Sequence, residues 1–240
     1  MTTSVSDRET DAFDNSAKSA YRQRHLDVLR EQVPELWVDE ERPRLRGSWL
    51  ELMGATGWRT LELLVQADAV SHEQFIGVDL DADRIAAYQA RYPRARWLPG
   101  DLLDLVNRPE LRDVSVIHYD AYDAVATGRL DHVSEQLATV LARSLSSYGA
   151  AMLIWNADLD ASRLRGQAPA SALRNHAIAV ASLLRGIGGD RRELDATSFL
   201  PANAELAVAE PGFTGYVGAI DVYRGKNVGH RMACLRIVLR

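Results

Sequence analysis

Between residues 48 and 156, short apolar runs alternate with amphipathic stretches, and this alternation most narrows what the chain can fold into. The runs are Ser48 to Leu52 (SWLEL), Phe75 to Asp79 (FIGVD), Arg96 to Asp101 (RWLPGD), Val114 to Asp120 (VSVIHYD) and Ala150 to Asn156 (AAMLIWN). Their near-continuous apolar character is that of strands covered on both faces. Between them lie Trp58 to Ala67, with Leu61, Leu64 and Val65 on one helical face, then DADRIAAYQARY, then the amphipathic stretch Leu130 to Leu145. Strands spaced by helices of this length form βαβ units, so the pattern predicts an α/β domain with a parallel sheet between two helical layers.

The flanks differ from the centre. Residues 1–13 are polar and predict a disordered tail, while residues 14–240 show no interior linker and read as one domain. Ser16 to Val33 has helical spacing through Tyr21, Leu26, Leu29 and Val33, and Pro34 stops it. WVDEERPRLRG then reads as a charged loop, which closes an N-terminal segment over 14–47. Residues 170–187 predict one more helix, ended by Gly188 and Gly189. GYVGAIDVY and RMACLRIVL are strand-like runs joined by RGKNVGH, a turn too short for anything but an antiparallel hairpin.

Composition removes several classes of function. With 47% apolar and 25% charged residues among 240, the chain can bury a full core. No apolar stretch reaches the ~18 residues of a membrane span, and the polar N-terminus lacks the apolar core of a secretory signal. The single cysteine, Cys234, allows no internal disulfide, and no His, Asp or Glu spacing suggests a metal. A cytoplasmic protein is expected. The net charge of −5 argues mildly against a nucleic-acid grip through phosphates.

In an open parallel sheet, ligands bind beyond the carboxyl ends of the strands, where the strand order reverses. Those ends carry Glu51 with the turn MGATG, then Asp79, Asp101, and Tyr119 with Asp120. Asp79 follows the turn by about 20 residues, the separation that lets a carboxylate take the hydroxyls of a ribose. A strand-end aspartate can also serve simply as a helix cap. Acids on three consecutive strands point to a site.

At these residues the chain resembles the class I methyltransferases, a Rossmann-like family that uses S-adenosylmethionine. The family's first motif, acid-x-Gly-x-Gly-x-Gly, reads here Glu51-Leu52-Met53-Gly54-Ala55-Thr56-Gly57, with Met53 and Ala55 in place of the first two glycines. GVDLD resembles the second motif and PGDLLDL the third. The resemblance implies a three-layer sandwich around a mostly parallel seven-stranded sheet of order 3-2-1-4-5-7-6, ending in an antiparallel hairpin. It implies S-adenosylmethionine as cofactor, held by the first-motif residues Glu51, Met53, Gly54, Ala55 and Gly57. Asp79 would take the ribose with Leu80 beside it, Asp101 would face the adenine amino group and Leu102 its ring, and Tyr119 would reach the methionine part. The 14–47 segment would form part of a lid.

Methyl transfer is a displacement that needs alignment and exclusion of water, and a base only where the acceptor must lose a proton. Asp120 and Tyr122, just beyond the fourth strand, are the chosen catalytic candidates, while His118 reads as a packed strand histidine. No Asn/Asp-Pro-Pro-aromatic run follows that strand, and Cys234 lies far from the site, which disfavours the usual DNA methyltransferases. A small-molecule acceptor is favoured, with RNA or protein left open; Lys18, Arg22, Arg24, His25 and Arg30, or Arg224, Lys226, His230 and Arg231 in the hairpin turn, could meet an anionic one. Two rivals remain. A nicotinamide-dependent oxidoreductase lacks its G-x-G-x-x-G here. A methyltransferase-like binding or regulatory protein without turnover would fit the imperfect first motif.

Overall fold

The computed structural model describes residues 16–38, 44–52, 57–119, 130–158, 194–195, 206–210, 213–222 and 231–239. The expected tail over 1–13 and the expected helix over 170–187 lie outside the described residues. The chain opens with helix α1 (Ser16–Gln32), which Pro34 ends in a single 3-10 turn. Strands β1 (Trp37–Val38) and β2 (Arg44–Leu45) follow as a small antiparallel ladder, Trp37 opposite Leu45. This stretch was expected to be loop. Its two apolar residues make the ladder worthwhile: Leu45 is buried, and the Trp37 indole N–H donates to Leu29 O at 3.2 Å, which fastens the ladder to α1.

The alternating core comes next, as β3 (Ser48–Leu52), α2 (Gly57–Gln66), β4 (Phe75–Asp79), α3 (Ala82–Arg91), β5 (Arg96–Pro99), the short α4 (Leu102–Leu105), β6 (Val114–Tyr119), α5 (Leu130–Tyr148) and β7 (Ala151–Asp158). Strands β3 to β7 form a parallel sheet in the order β5-β4-β3-β6-β7. The chain starts in the middle, at β3, builds outward to β5, then crosses to β6. The order therefore reverses between β3 and β6, and the crevice of an open α/β sheet lies there. Four further strands follow, β8 (Leu194–Asp195), β9 (Leu206–Glu210), β10 (Phe213–Val222) and β11 (Arg231–Leu239). No helix among the described residues is long and apolar enough to cross a membrane.

Alternation along each strand makes two cores. Trp49, Phe75, Trp97, Val116, Met152 and Ile154 face α1, α2 and α3 and pack with Leu26, Leu29, Leu61, Leu64 and Ile85 in one cluster. Leu50, Ile76, Leu98, Ile117 and Leu153, one residue out of step, are buried on the opposite face. Gly47 starts β3 from φ +74°, and a Cβ there would stand 2.8 Å from Asp113 O, so no other residue enters the sheet at this point without a shift.

The outer strands β4 and β5 hold an aromatic cluster. The Trp97 ring lies 5.6 Å from Phe75 and 5.2 Å from Tyr88. Phe75 is fully buried, so Phe75→Ala should cost ~3–5 kcal/mol of stability in urea unfolding. A loss under about 1 kcal/mol would mean that the cluster collapses into the gap. Burial pushes the Tyr88 hydroxyl up from 10.0 to about 12. The unfolded chain releases this proton first, so between those values the folded state holds more protons and stability falls as pH rises. Tyr88→Phe should flatten that decline between pH 10 and about 12 in thermal melts.

Candidate functional site

The carboxyl ends of β3, β4, β5 and β6 stand side by side, and each displays a polar residue. On β3 and β6 these residues share a face because the parallel register sets Glu51 beside His118 and Leu52 beside Tyr119. Trp49, two residues before Glu51, shares that face too. The result is a buried polar knot. Glu51 Oε2 accepts from the Trp49 indole N–H at 2.8 Å and Oε1 accepts from the Thr60 hydroxyl at 3.0 Å. His118 Nδ1 lies 2.9 Å from both carboxylate oxygens. With Nδ1 protonated, the imidazole is the donor of this pair. The His25 ring, from α1, sits 5.1 Å from the His118 ring and is buried with it.

Glu51 is thus 1% exposed and engaged on both oxygens from within the protein. Its geometry is that of a strut tying β3 to α2 and β6. His118 is packed, as its strand position suggested. Sequence reasoning missed the roles of Thr60 and His25. The only available signal was a polar residue on the inner face of each helix, which becomes meaningful once the helices are laid over Glu51.

Asp79 closes β4 and is 7% exposed. Its Oδ1 accepts from the Asp81 N–H at 2.9 Å, and its Oδ2 pairs with Arg84 Nη1 at 2.7 Å. Arg84 also reaches Asp81, 3.3 Å away, whose side chain caps α3 by accepting from the Arg84 N–H at 3.0 Å. Burial lowers the Arg84 pKa, but the Asp79 hydrogen bond and the two carboxylate charges more than offset this, leaving it above its ordinary value. The strand-end acid and the capping acid are therefore different residues, two positions apart. Arg84 as their common partner was not foreseen.

Gly100 joins this end of the sheet to the next. It takes φ +136° and donates its N–H to Asp79 O at 3.0 Å, which turns the chain from β5 into Asp101. Asp101 O then accepts from the Asp104 and Leu105 N–H groups and opens α4. Leu102 and Tyr119 are buried, whereas Leu80 is 74% exposed. Leu80 thus places an apolar side chain in water directly after a fixed carboxylate, at the mouth of the sheet. Gly57 is buried at the start of α2. Met53, Gly54 and Ala55 of the first turn, and the catalytic candidates Asp120 and Tyr122, lie outside the described residues. Among the described residues no three His, Cys, Asp or Glu side chains gather as a metal group.

No protein-family model matches the chain. No curated protein matches it either. Among solved structures, a SAM dependent methyltransferase from Archaeoglobus fulgidus is similar over 90% of this chain and 94% of its own, at 11% identity and a TM-score of 0.42. The N-methyltransferase NodS from Bradyrhizobium japonicum WM9 is similar over 91% of this chain and 95% of its own, at 14% identity and a TM-score of 0.43. Streptomyces venezuelae DesVI is similar over 57% of this chain, at 17% identity and a TM-score of 0.36, and there the chain spans only 49% of DesVI. What this chain does is read from its own side chains.

The polar knot can be tested by itself. Glu51→Gln replaces one accepting oxygen with an N–H₂ that faces the indole, hydroxyl or imidazole donor, so it should lower stability by ~1–3 kcal/mol in urea unfolding. Thr60→Val removes a single donor and should cost about 1 kcal/mol. If Glu51→Gln unfolds at the wild-type midpoint, the carboxylate is not the strut described.

Proposed function

We propose that the chain is an S-adenosylmethionine-dependent methyltransferase acting on a small-molecule acceptor. The observation that carries this reading is the pairing of Asp79 with Leu80 at the mouth of β4, a nearly buried, pre-oriented carboxylate next to an exposed apolar side chain. A carboxylate offers about four acceptor positions, and Asp81 and Arg84 take two. Two are left for a vicinal diol. Leu80 supplies apolar surface for a base, and Asp101, one strand further, supplies an acceptor for an exocyclic amino group. The donor set thus fits a nucleoside. When bound, the cofactor supplies a methyl group activated by its sulfonium charge.

The protein's own part is to bind, orient and exclude water. The strut at Glu51 holds the end of β3 against α2. Gly57 starts α2 without a side chain in the way of a ligand. Asp120 and Tyr122, beyond β6, are the proposed groups for orienting the acceptor and taking its proton, and Tyr119 is proposed at the methionine end. Met53, Gly54 and Ala55 are proposed to line the turn.

The finer architecture belongs to the same proposal. A seven-strand order 3-2-1-4-5-7-6 is supported by antiparallel pairing of β11 with β7, Leu235 opposite Trp155, and of β10 with β11, Ile220 opposite Ala233. A single domain over 14–240, with 14–47 as part of a lid, is supported by His25 of α1 lying over His118. A cytoplasmic setting suits a chain with one cysteine. A second reading, a methyltransferase-like binding protein without turnover, draws support from the hold of Arg84 on Asp79 and from Met53 in the first turn.

Calorimetric titration with S-adenosylmethionine and S-adenosylhomocysteine tests the proposal. Both should bind, and Asp79→Ala should weaken each by about 10-fold or more, the effect of removing hydrogen bonds to a charged group. Absence of binding by the folded wild type overturns the proposal. Binding with no transfer to any acceptor class would select the second reading.

A further inference from the structure

The hold of Arg84 on Asp79 has no account in the helix that carries it. Asp81 caps α3 by accepting from the Arg84 N–H, which makes Arg84 the third residue of the helix. That position favours Glu or Gln, whose side chains reach back to the cap, and the positive end of the helix dipole disfavours a cation there. The buried face of α3 is carried by Ile85 and Tyr88. Neither capping nor core packing calls for an arginine at this place. The two carboxylates that it bridges do, and a residue at odds with its own helix marks a site.

The bridge is braced at both ends. Asp81 grips Arg84 through its two carboxylate oxygens, one on the backbone N–H at 3.0 Å and the other on Nη2 at 3.3 Å. Arg84 Nη1 then holds Asp79 Oδ2 at 2.7 Å, while the Asp81 N–H holds Oδ1 at 2.9 Å. A carboxylate tied through one oxygen still turns about that bond, whereas one tied through both has a single orientation. Asp79 is nearly buried, a depth at which a charge without a partner is costly. The Arg84 side chain is 33% exposed, so the guanidinium stands between that acid and water. Each Asp79 oxygen, with one partner apiece, keeps an acceptor position. Two hydroxyls on neighbouring carbons, one to each oxygen, need the carboxylate plane in one place. A lone hydroxyl does not.

From this geometry we infer that Arg84 is the positioning residue of the nucleoside site. By fixing Asp79 Oδ2 it commits the mouth of β4 to a ribose with both hydroxyls free and disfavours a deoxyribose. Arg84 acts through Asp79, preparing the carboxylate for the diol rather than occupying the diol's place. The inference rests on the nucleoside reading of Asp79 proposed above and deepens it.

Titration calorimetry of the full chain with S-adenosylhomocysteine and its 2′-deoxy analogue tests the inference. The wild type should bind the parent about 10-fold more tightly than the analogue, the effect of one hydroxyl on a charged acceptor. Arg84→Gln puts a favoured residue at the third position of the helix and removes the charge. It should weaken the parent by about 10-fold and the analogue by no more than about 2-fold, so that the gap between the ligands nearly closes. Arg84→Lys should recover part of the gap, because an ammonium still pairs with Asp79 but has no fork to share with Asp81. Should Arg84→Gln fail to fold, Asp81→Asn decides: it keeps the cap, removes the charge that braces the guanidinium, and should narrow the gap. An undiminished gap in the variant that folds overturns the inference, as does equal weakening of both ligands, which is the mark of a purely structural part in α3. So does tighter binding of the parent by Arg84→Gln, which would make Arg84 a plug over Asp79. Failure of the nucleoside reading looks different. The folded wild type then binds neither ligand, or Asp79→Ala binds both as the wild type does, and the inference falls with it.

Discussion

A carboxylate with almost no contact with water holds the centre of this molecule together. Removing a charged carboxylate from water is costly unless each oxygen finds donors. Glu51 finds three, the Trp49 indole, the Thr60 hydroxyl and the His118 ring, and they come from β3, α2 and β6. Satisfying one buried charge therefore sets the first helix of the core and the crossover strand in a single geometry around the end of β3. The His25 ring extends the arrangement to α1. Apolar packing alone tolerates small slips of a helix over a sheet, but a hydrogen-bonded carboxylate does not, because a slip leaves the charge without a partner.

What that rigidity serves lies one strand away. Asp79 is also nearly buried, but its partners leave it open on one side. The Asp81 N–H and the Arg84 guanidinium orient the carboxylate from behind, and Gly100 bonds to its backbone oxygen and leads to Asp101. The two acids are therefore held differently, Glu51 by side chains of three elements and Asp79 by the start of α3. The contrast comes from position. Glu51 lies one residue short of its strand end, beneath α2, while Asp79 is the last residue of its strand, where α3 has not yet begun.

Helix α2 links these features to α1. Its inner flank delivers Thr60 to Glu51 and Leu61 and Leu64 to the core. Its outer flank carries Arg59, Glu62 and Gln66, which would be solvated in a bare βαβ unit and instead face α1.

The alternation of apolar runs and amphipathic stretches was enough to read the parallel core from the sequence by itself. SWLEL and FIGVD became strands at the expected residues, and VSVIHYD did so through Tyr119, because a run that is apolar on both faces has no stable place except inside a covered sheet. The strand-end acids were legible for the same reason, since polarity at the end of such a run stands out. Partnership was not legible. Glu51 and Asp79 look alike in sequence, each an acid near the end of an apolar run, and only the tertiary structure ties one to Trp49, Thr60 and His118 and the other to Asp81 and Arg84. The small ladder of Trp37 with Leu45, the pairing of Arg84 with Asp79, and the placing of Arg22 opposite Arg59 were hidden too. Periodicity reports which side of an element is apolar, whereas hydrogen bonds and charge pairs depend on which element comes to lie against it.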